Sequence, residues 1–136
     1  MNWQGSLLTL LGTLRALKWT SWNSHWQVKG KPFYGDHLML ERIYQGAIDE
    51  QIDTLGEKLV FMYGGGVITN GMMRSSFIHG VESALSSHKH CALSRVLYLE
   101  KLLQNQFKLC HSLGQQSQQI SLGMDDYLMA TANQHE

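Results

Sequence analysis

Residues 25–37 read HWQVKGKPFYGDH. Gly30 and the chain's one proline, Pro32, interrupt there what are otherwise long helical patterns, and this interruption decides the fold. Upstream, Leu7, Leu11, Leu14, Lys18, Trp22 and His25 step by three or four residues, while Leu8, Leu10 and Leu17 widen the apolar face. That spacing predicts an amphipathic helix over roughly residues 4–28. Downstream, Asp36 is placed to cap a second helix beginning near His37 and running to the glycines at 64–66, about 27 residues or ~40 Å.

Beyond Tyr63 the pattern loosens. A glycine-rich connection, GGGVITNG, is followed by a shorter helical candidate, MMRSSFIHGVESALSS. A third long helix carries Leu93, Val96, Leu97, Leu103, Phe107 and Cys110 on one stripe and ends at Gly114; GQQSQQ reads as a polar loop, and GMDDYLMATANQHE as a last, short helix. Strand patterns and internal repeats are lacking. The expected architecture is therefore all-α, a single domain over 1–136. It is a ferritin-like four-helix bundle with a long crossover that carries a short helix between helices two and three.

Composition narrows the function. Eleven Lys plus Arg balance eleven Asp plus Glu, and neither end carries a basic run, so no electrostatic arm for nucleic acid is expected. Cys91 and Cys110 fall within one predicted helix, about 28 Å apart, too far to pair. A reducing compartment follows, and with no charged leader and no membrane-length apolar run the expectation is a soluble, cytoplasmic protein. Gly64, Gly65 and Gly66 follow no strand and precede no phosphate-binding lysine, so they read as a helix stop. No serine or cysteine has a motif that would set a base beside it.

The chemistry-bearing residues sit on helices one and two. His37 and Glu41 are four residues apart, as are Asp53 and Glu57, so each pair shares a helix face. His25 ends the apolar stripe of helix one. Taken singly, such pairs describe a solvated face; imidazole together with several carboxylates is a ligand set for iron, manganese or zinc. His37 and Asp53, however, are sixteen residues apart, about 24 Å along a helix. They cannot share a metal within one chain. Two chains meeting about a two-fold axis with antiparallel second helices can bring His37 of one to Asp53 and Glu57 of the other.

The stretch WNSHWQVKGKPFYGDHLMLERIY, followed by IDTLGEKL, resembles the Dps family of mini-ferritins, and LGMDDYLMATANQHE is similar to the start of that family's last helix. The resemblance implies an iron-storing homo-oligomer, a dodecamer, that oxidises Fe²⁺ with hydrogen peroxide or dioxygen and protects against oxidative stress. Its ferroxidase centre would lie between subunits, with zinc as a substitute for iron. On this match His25, His37 and Glu41, the last where the family usually has aspartate, would bind iron from one chain. Asp53 and Glu57 would bind it from the neighbour, with Trp26 and Trp22 beside the ligands. The His37 to Asp53 spacing is one residue longer than the family's, which rotates everything beyond it by ~100°. Either the dimer adjusts to this or helix two contains a π-bulge, placed between Arg42 and Ile52 with Gly46 as a permissive spot. The last helix is shorter than the family's, and the lysine-rich tail of its DNA-binding members is missing, so DNA is not an expected partner. The competing reading is a non-catalytic assembly protein that keeps the same ligands as a structural metal site.

The remaining candidates read more simply. His88, His90 and Cys91 suit an exposed helix start, and His79, His111 and His135 the surface or its boundary. Met62, Met72, Met73, Met124 and Met129 are expected to fill the core. Trp3 and Trp19 are expected to pack.

Overall fold

A computed structural model of the protein describes residues 2–27, 33–69, 71–87, 91–117 and 122–135. Among these residues the chain is all-α. Its helices are α1 (Trp3–Gln27), α2 (Phe33–Gln45), α3 (Ile48–Tyr63), α4 (Gly71–Ser87), α5 (Ala92–Ser117) and α6 (Leu122–Gln134), with a 3-10 turn over Gly65–Thr69 between α3 and α4. No helix is long and apolar enough to cross a membrane. The Gly30 and Pro32 stop signal lies outside the described residues.

The leucine pattern of α1 makes it the central element. Asn2 caps it, its Oδ1 accepting the Gly5 N–H at 2.8 Å. Leu7, Leu8, Leu10, Leu14 and Leu17 have no exposed surface, a burial that stabilises by about 1.5–3 kcal/mol per side chain. Because apolar residues lie nearly all round this helix, it is enclosed rather than laid on a face: α4 and α5 cover it most, and α2 and α3 complete the wrap.

The helical candidate MMRSSFIHGVESALSS forms α4 within one residue of its expected bounds, but it packs more closely than a mere crossover would. With 17 residues α4 is longer than α2, and it lies against α1 at very close range. A Cβ on Gly12 would stand 2.4 Å from the Met73 carbonyl oxygen and 2.7 Å from the Ser76 Cβ, and one on Gly80 would stand 2.9 Å from the Ala16 Cβ. Small residues on both helices allow this approach. The Ser76 hydroxyl then reaches across to donate to the Thr9 carbonyl at 2.7 Å.

Helix two also departs from expectation. It is not one helix from His37 to Tyr63 but two, α2 and α3, separated by the turn residues Gly46 and Ala47. The interruption falls inside the Arg42–Ile52 window, at the glycine singled out there, yet it is a two-residue turn and not a π-bulge. A Cβ on Gly46 would lie 2.4 Å from the Arg42 carbonyl oxygen, so glycine alone suits this tightening of the chain. Asp36 lies within the first turn of α2, which starts earlier than expected, and so is not its cap.

On α5, Val96, Leu99, Leu103, Phe107 and Cys110 form the buried stripe, whereas Leu97 is exposed. The helix runs on through Ser117, past Gly114, taking in the first part of GQQSQQ. Met73 and Met124 fill the core as expected; Met62, Met72 and Met129 reach the surface. Neither cysteine is in a disulfide; Cys91 is exposed and Cys110 buried. Burial pushes the Cys110 thiol up to about 11.

Candidate metal centre

His25 stands near the C-terminal end of α1 and His37 in α2, and the chain folds back so that their rings stack, centroids 3.6 Å apart. Each ring is also tied to the other residue's backbone. The Nδ1 of His25 donates to the His37 carbonyl oxygen at 3.1 Å, and the Nδ1 of His37 donates to the His25 carbonyl oxygen at 3.2 Å. A carbonyl oxygen only accepts, so both Nδ1 atoms carry the proton and both neutral rings have their lone pair on Nε2. An Nδ1–H held by a carbonyl is the arrangement that fixes a metal-binding histidine for ligation through Nε2.

Aromatic rings wall this pair. Tyr44, two turns beyond His37, meets the His25 ring edge-on at 5.2 Å and stacks on Trp22 at 5.6 Å with 17° between planes. Trp26 leans on Trp22 at 5.9 Å. Of the four indoles only Trp3 is in the core; Trp19, Trp22 and Trp26 are exposed, so the packing expected of Trp19 is only an edge contact with Phe77 at 6.4 Å.

The carboxylates occupy other ground. Glu41 is half-buried one turn beyond His37, while Asp53 and Glu57 are exposed on α3. Asp53 lines a hollow of about 470 Å³ between α1 and α3, together with Arg15, Lys18, Trp19 and Trp22. Lys18 is bonded there to Asp49. A second hollow of about 710 Å³ continues along the same face past Asp53 and Glu57 to Val60 and Phe61. Within one chain, among the described residues, no three His, Cys, Asp or Glu side chains converge on a point. The histidine pair and the Asp53/Glu57 pair are thus two separate features.

Set against known proteins, the chain matches no family model, no curated protein and no solved structure.

Sequence spacing does not reveal a third polar cluster. His135, expected at the surface or its boundary, stands at the boundary where α6 ends against α3 and α5, with its side chain turned inward and 7% exposed. Its Nδ1 lies 2.7 Å from the Glu100 carboxylate and its Nε2 2.7 Å from the Gln51 Oε1. The Gln51 Nε2 donates in turn to the Gln134 Oε1, and the Tyr127 hydroxyl donates to the Gln51 carbonyl at 2.7 Å. Burial raises the Tyr127 hydroxyl well above its ordinary value. His111 also has a neighbour, Asp125, at 2.8 Å. His79 is exposed, while His88 and His90 lie outside the described residues.

Proposed function

We propose that this chain is a Dps-like mini-ferritin whose Fe²⁺ site is completed between two copies. His25, His37 and Glu41 of one copy would bind the substrate ion with Asp53 and Glu57 of the other. The observation that carries this reading is the reciprocal Nδ1 to carbonyl bonding of His25 and His37, which presets both rings for ligation through Nε2. Two further observations support it. Asp53 and Glu57 stand exposed at hollows on the α1/α3 face, as half-ligands for a neighbour would. Beside them are exposed apolar groups, Trp19, Trp22 and Phe61, the last 92% exposed, a surface suited to a second copy.

The division of labour follows from charge. Neutral imidazoles bind Fe²⁺ without adding negative charge, while the carboxylates favour the harder Fe³⁺ product. With hydrogen peroxide as oxidant, two Fe²⁺ each give up one electron; the O–O bond breaks and, with two protons taken up, two waters form. Dioxygen is the other candidate oxidant. In this reading the ferric product collects inside a hollow homo-oligomer, a dodecamer, in the cytoplasm.

A structural metal site in a non-catalytic assembly protein, with zinc in place of iron, is the second reading, and the Gly46–Ala47 turn favours it by separating the two half-sites. Fe²⁺ added anaerobically and then mixed with hydrogen peroxide separates the two. Fast ferric absorbance that disappears in a His37→Ala, Asp53→Ala double variant of unchanged assembly supports oxidation. Equal slow traces would sink it.

A further inference from the structure

The His135 cluster has no part in the reading above. As placed, both ring nitrogens face acceptors: the Glu100 carboxylate on α5, and the Oε1 of Gln51 on α3, whose amide nitrogen is engaged with Gln134. A neutral imidazole has one N–H, whereas an imidazolium has two. The arrangement is therefore complete only when the ring is charged. Glu100 is also the one charged group besides His135 among the residues lining the hollow of about 450 Å³ beside it; from α2 that hollow receives the apolar Met39 and Ile43. On its other side His135 meets the Phe107 ring of α5 at 6.0 Å.

We propose that His135 is a protonation latch that holds α6 onto the body of the protein. Protonated, it bridges α6 to α5 through a charge-assisted bond to Glu100 and to α3 through Gln51. Deprotonated, it loses the ionic part of the first bond, and one ring nitrogen faces an oxygen unless the Gln51 and Gln134 amides turn over together. Histidine changes charge between about pH 5 and 8. Docking of α6 is accordingly tighter with the ring protonated and Glu100 ionised, and looser once the ring is neutral.

Hydrogen exchange of the full-length protein at about pH 6 and about pH 8.5, corrected for intrinsic rates, tests the latch. The expected result is that α6 protection falls about fivefold at the higher pH while α1 protection holds, since hydrogen bonds to charged groups exceed neutral ones by about 1 kcal/mol. In His135→Gln α6 protection becomes independent of pH, and in Glu100→Gln, which keeps an acceptor at the same place, its pH response shrinks. Should His135→Gln fail to fold, Glu100→Gln decides alone. Constant α6 protection in the native protein, a parallel fall in α1, or an unchanged pH response in Glu100→Gln would each overturn the proposal.

Discussion

His25 and His37 each donate Nδ1–H to the other's carbonyl oxygen, at 3.1 and 3.2 Å, so that each ring is held by the other residue's backbone and by the ring stacked on it. Removing one side chain therefore disturbs both. His37→Ala deletes the stack and the bond made by the His37 ring but keeps the residue-37 carbonyl, so the His25 ring is expected to retain its Nδ1–H tautomer while losing the ring packed on it. A neutral hydrogen bond contributes about 0.5–1.5 kcal/mol net, so the fold survives. The check is NMR of the His25 ring: the same Nδ1–H tautomer in the native protein and the variant, with the ring-current shift from the stacked His37 lost in the variant.

If the site is shared between copies, two inactive variants should rescue each other. His37→Ala and Asp53→Ala chains, unfolded together and reassembled, give mixed dimers with one intact site and one doubly broken site. Random pairing makes half the dimers mixed, so about a quarter of native Fe²⁺ oxidation is expected to return. Measured activity at the level of the separate variants would contradict an intersubunit site.

The Gly46 backbone leaves no space for a side chain. Gly46→Ala places a methyl 2.4 Å from the Arg42 carbonyl oxygen, and the shift needed to relieve it is expected to cost about 1–3 kcal/mol. Urea unfolding measures this. A gain in stability would mean that the turn straightens into continuous helix, which alanine prefers by about 1 kcal/mol.

Gly12→Ala tests the α1–α4 crossing. The added methyl meets the Met73 carbonyl, which is backbone and cannot rotate away, so the helices must part. A loss of about 1–3 kcal/mol is expected, with α4 becoming the more easily exchanged of the two helices.

The buried acids set an alkaline limit. Cys110 is pushed up to about 11 and Tyr127 is raised, both chiefly by burial. A group that holds its proton more tightly when folded contributes stability fully present below its unfolded value and lost as pH rises through the folded one. In His135→Gln, where the latch is absent, the thermal midpoint is thus expected to stay level to about pH 8.5 and to decline above about 9, less steeply with Cys110→Ala added. In line with this, a thiol reagent at about pH 8 should modify Cys91 alone until denaturant is added.

How much of this was legible in the sequence depends on whether the signal is local. The leucine spacing of α1 was, because a helix repeats its face every three or four residues. So was the position of trouble in helix two, since an extra residue needs somewhere to go and Gly46 was the permissive place. The packing of α4 was not: its message is carried by Gly12, Ser76 and Gly80, whose smallness adds nothing to an apolar pattern. Nor was His135, whose partners Glu100 and Gln51 lie 35 and 84 residues away and meet it only after α3, α5 and α6 have assembled. For the candidate site, the twelve-residue histidine spacing signalled a pairing, but the exchange of carbonyl bonds belongs to the way α1 and α2 fold back on each other.

A continuous helix behaves as a stiff rod in which any twist applied at one end reappears at the other. The turn at Gly46 and Ala47 replaces that rod with two shorter ones joined by an elbow. Sequence changes that rotate α3 against its surroundings need not rotate α2, so the His37 and Asp53 halves of the chain can be adjusted separately over evolutionary time, each against its own neighbours.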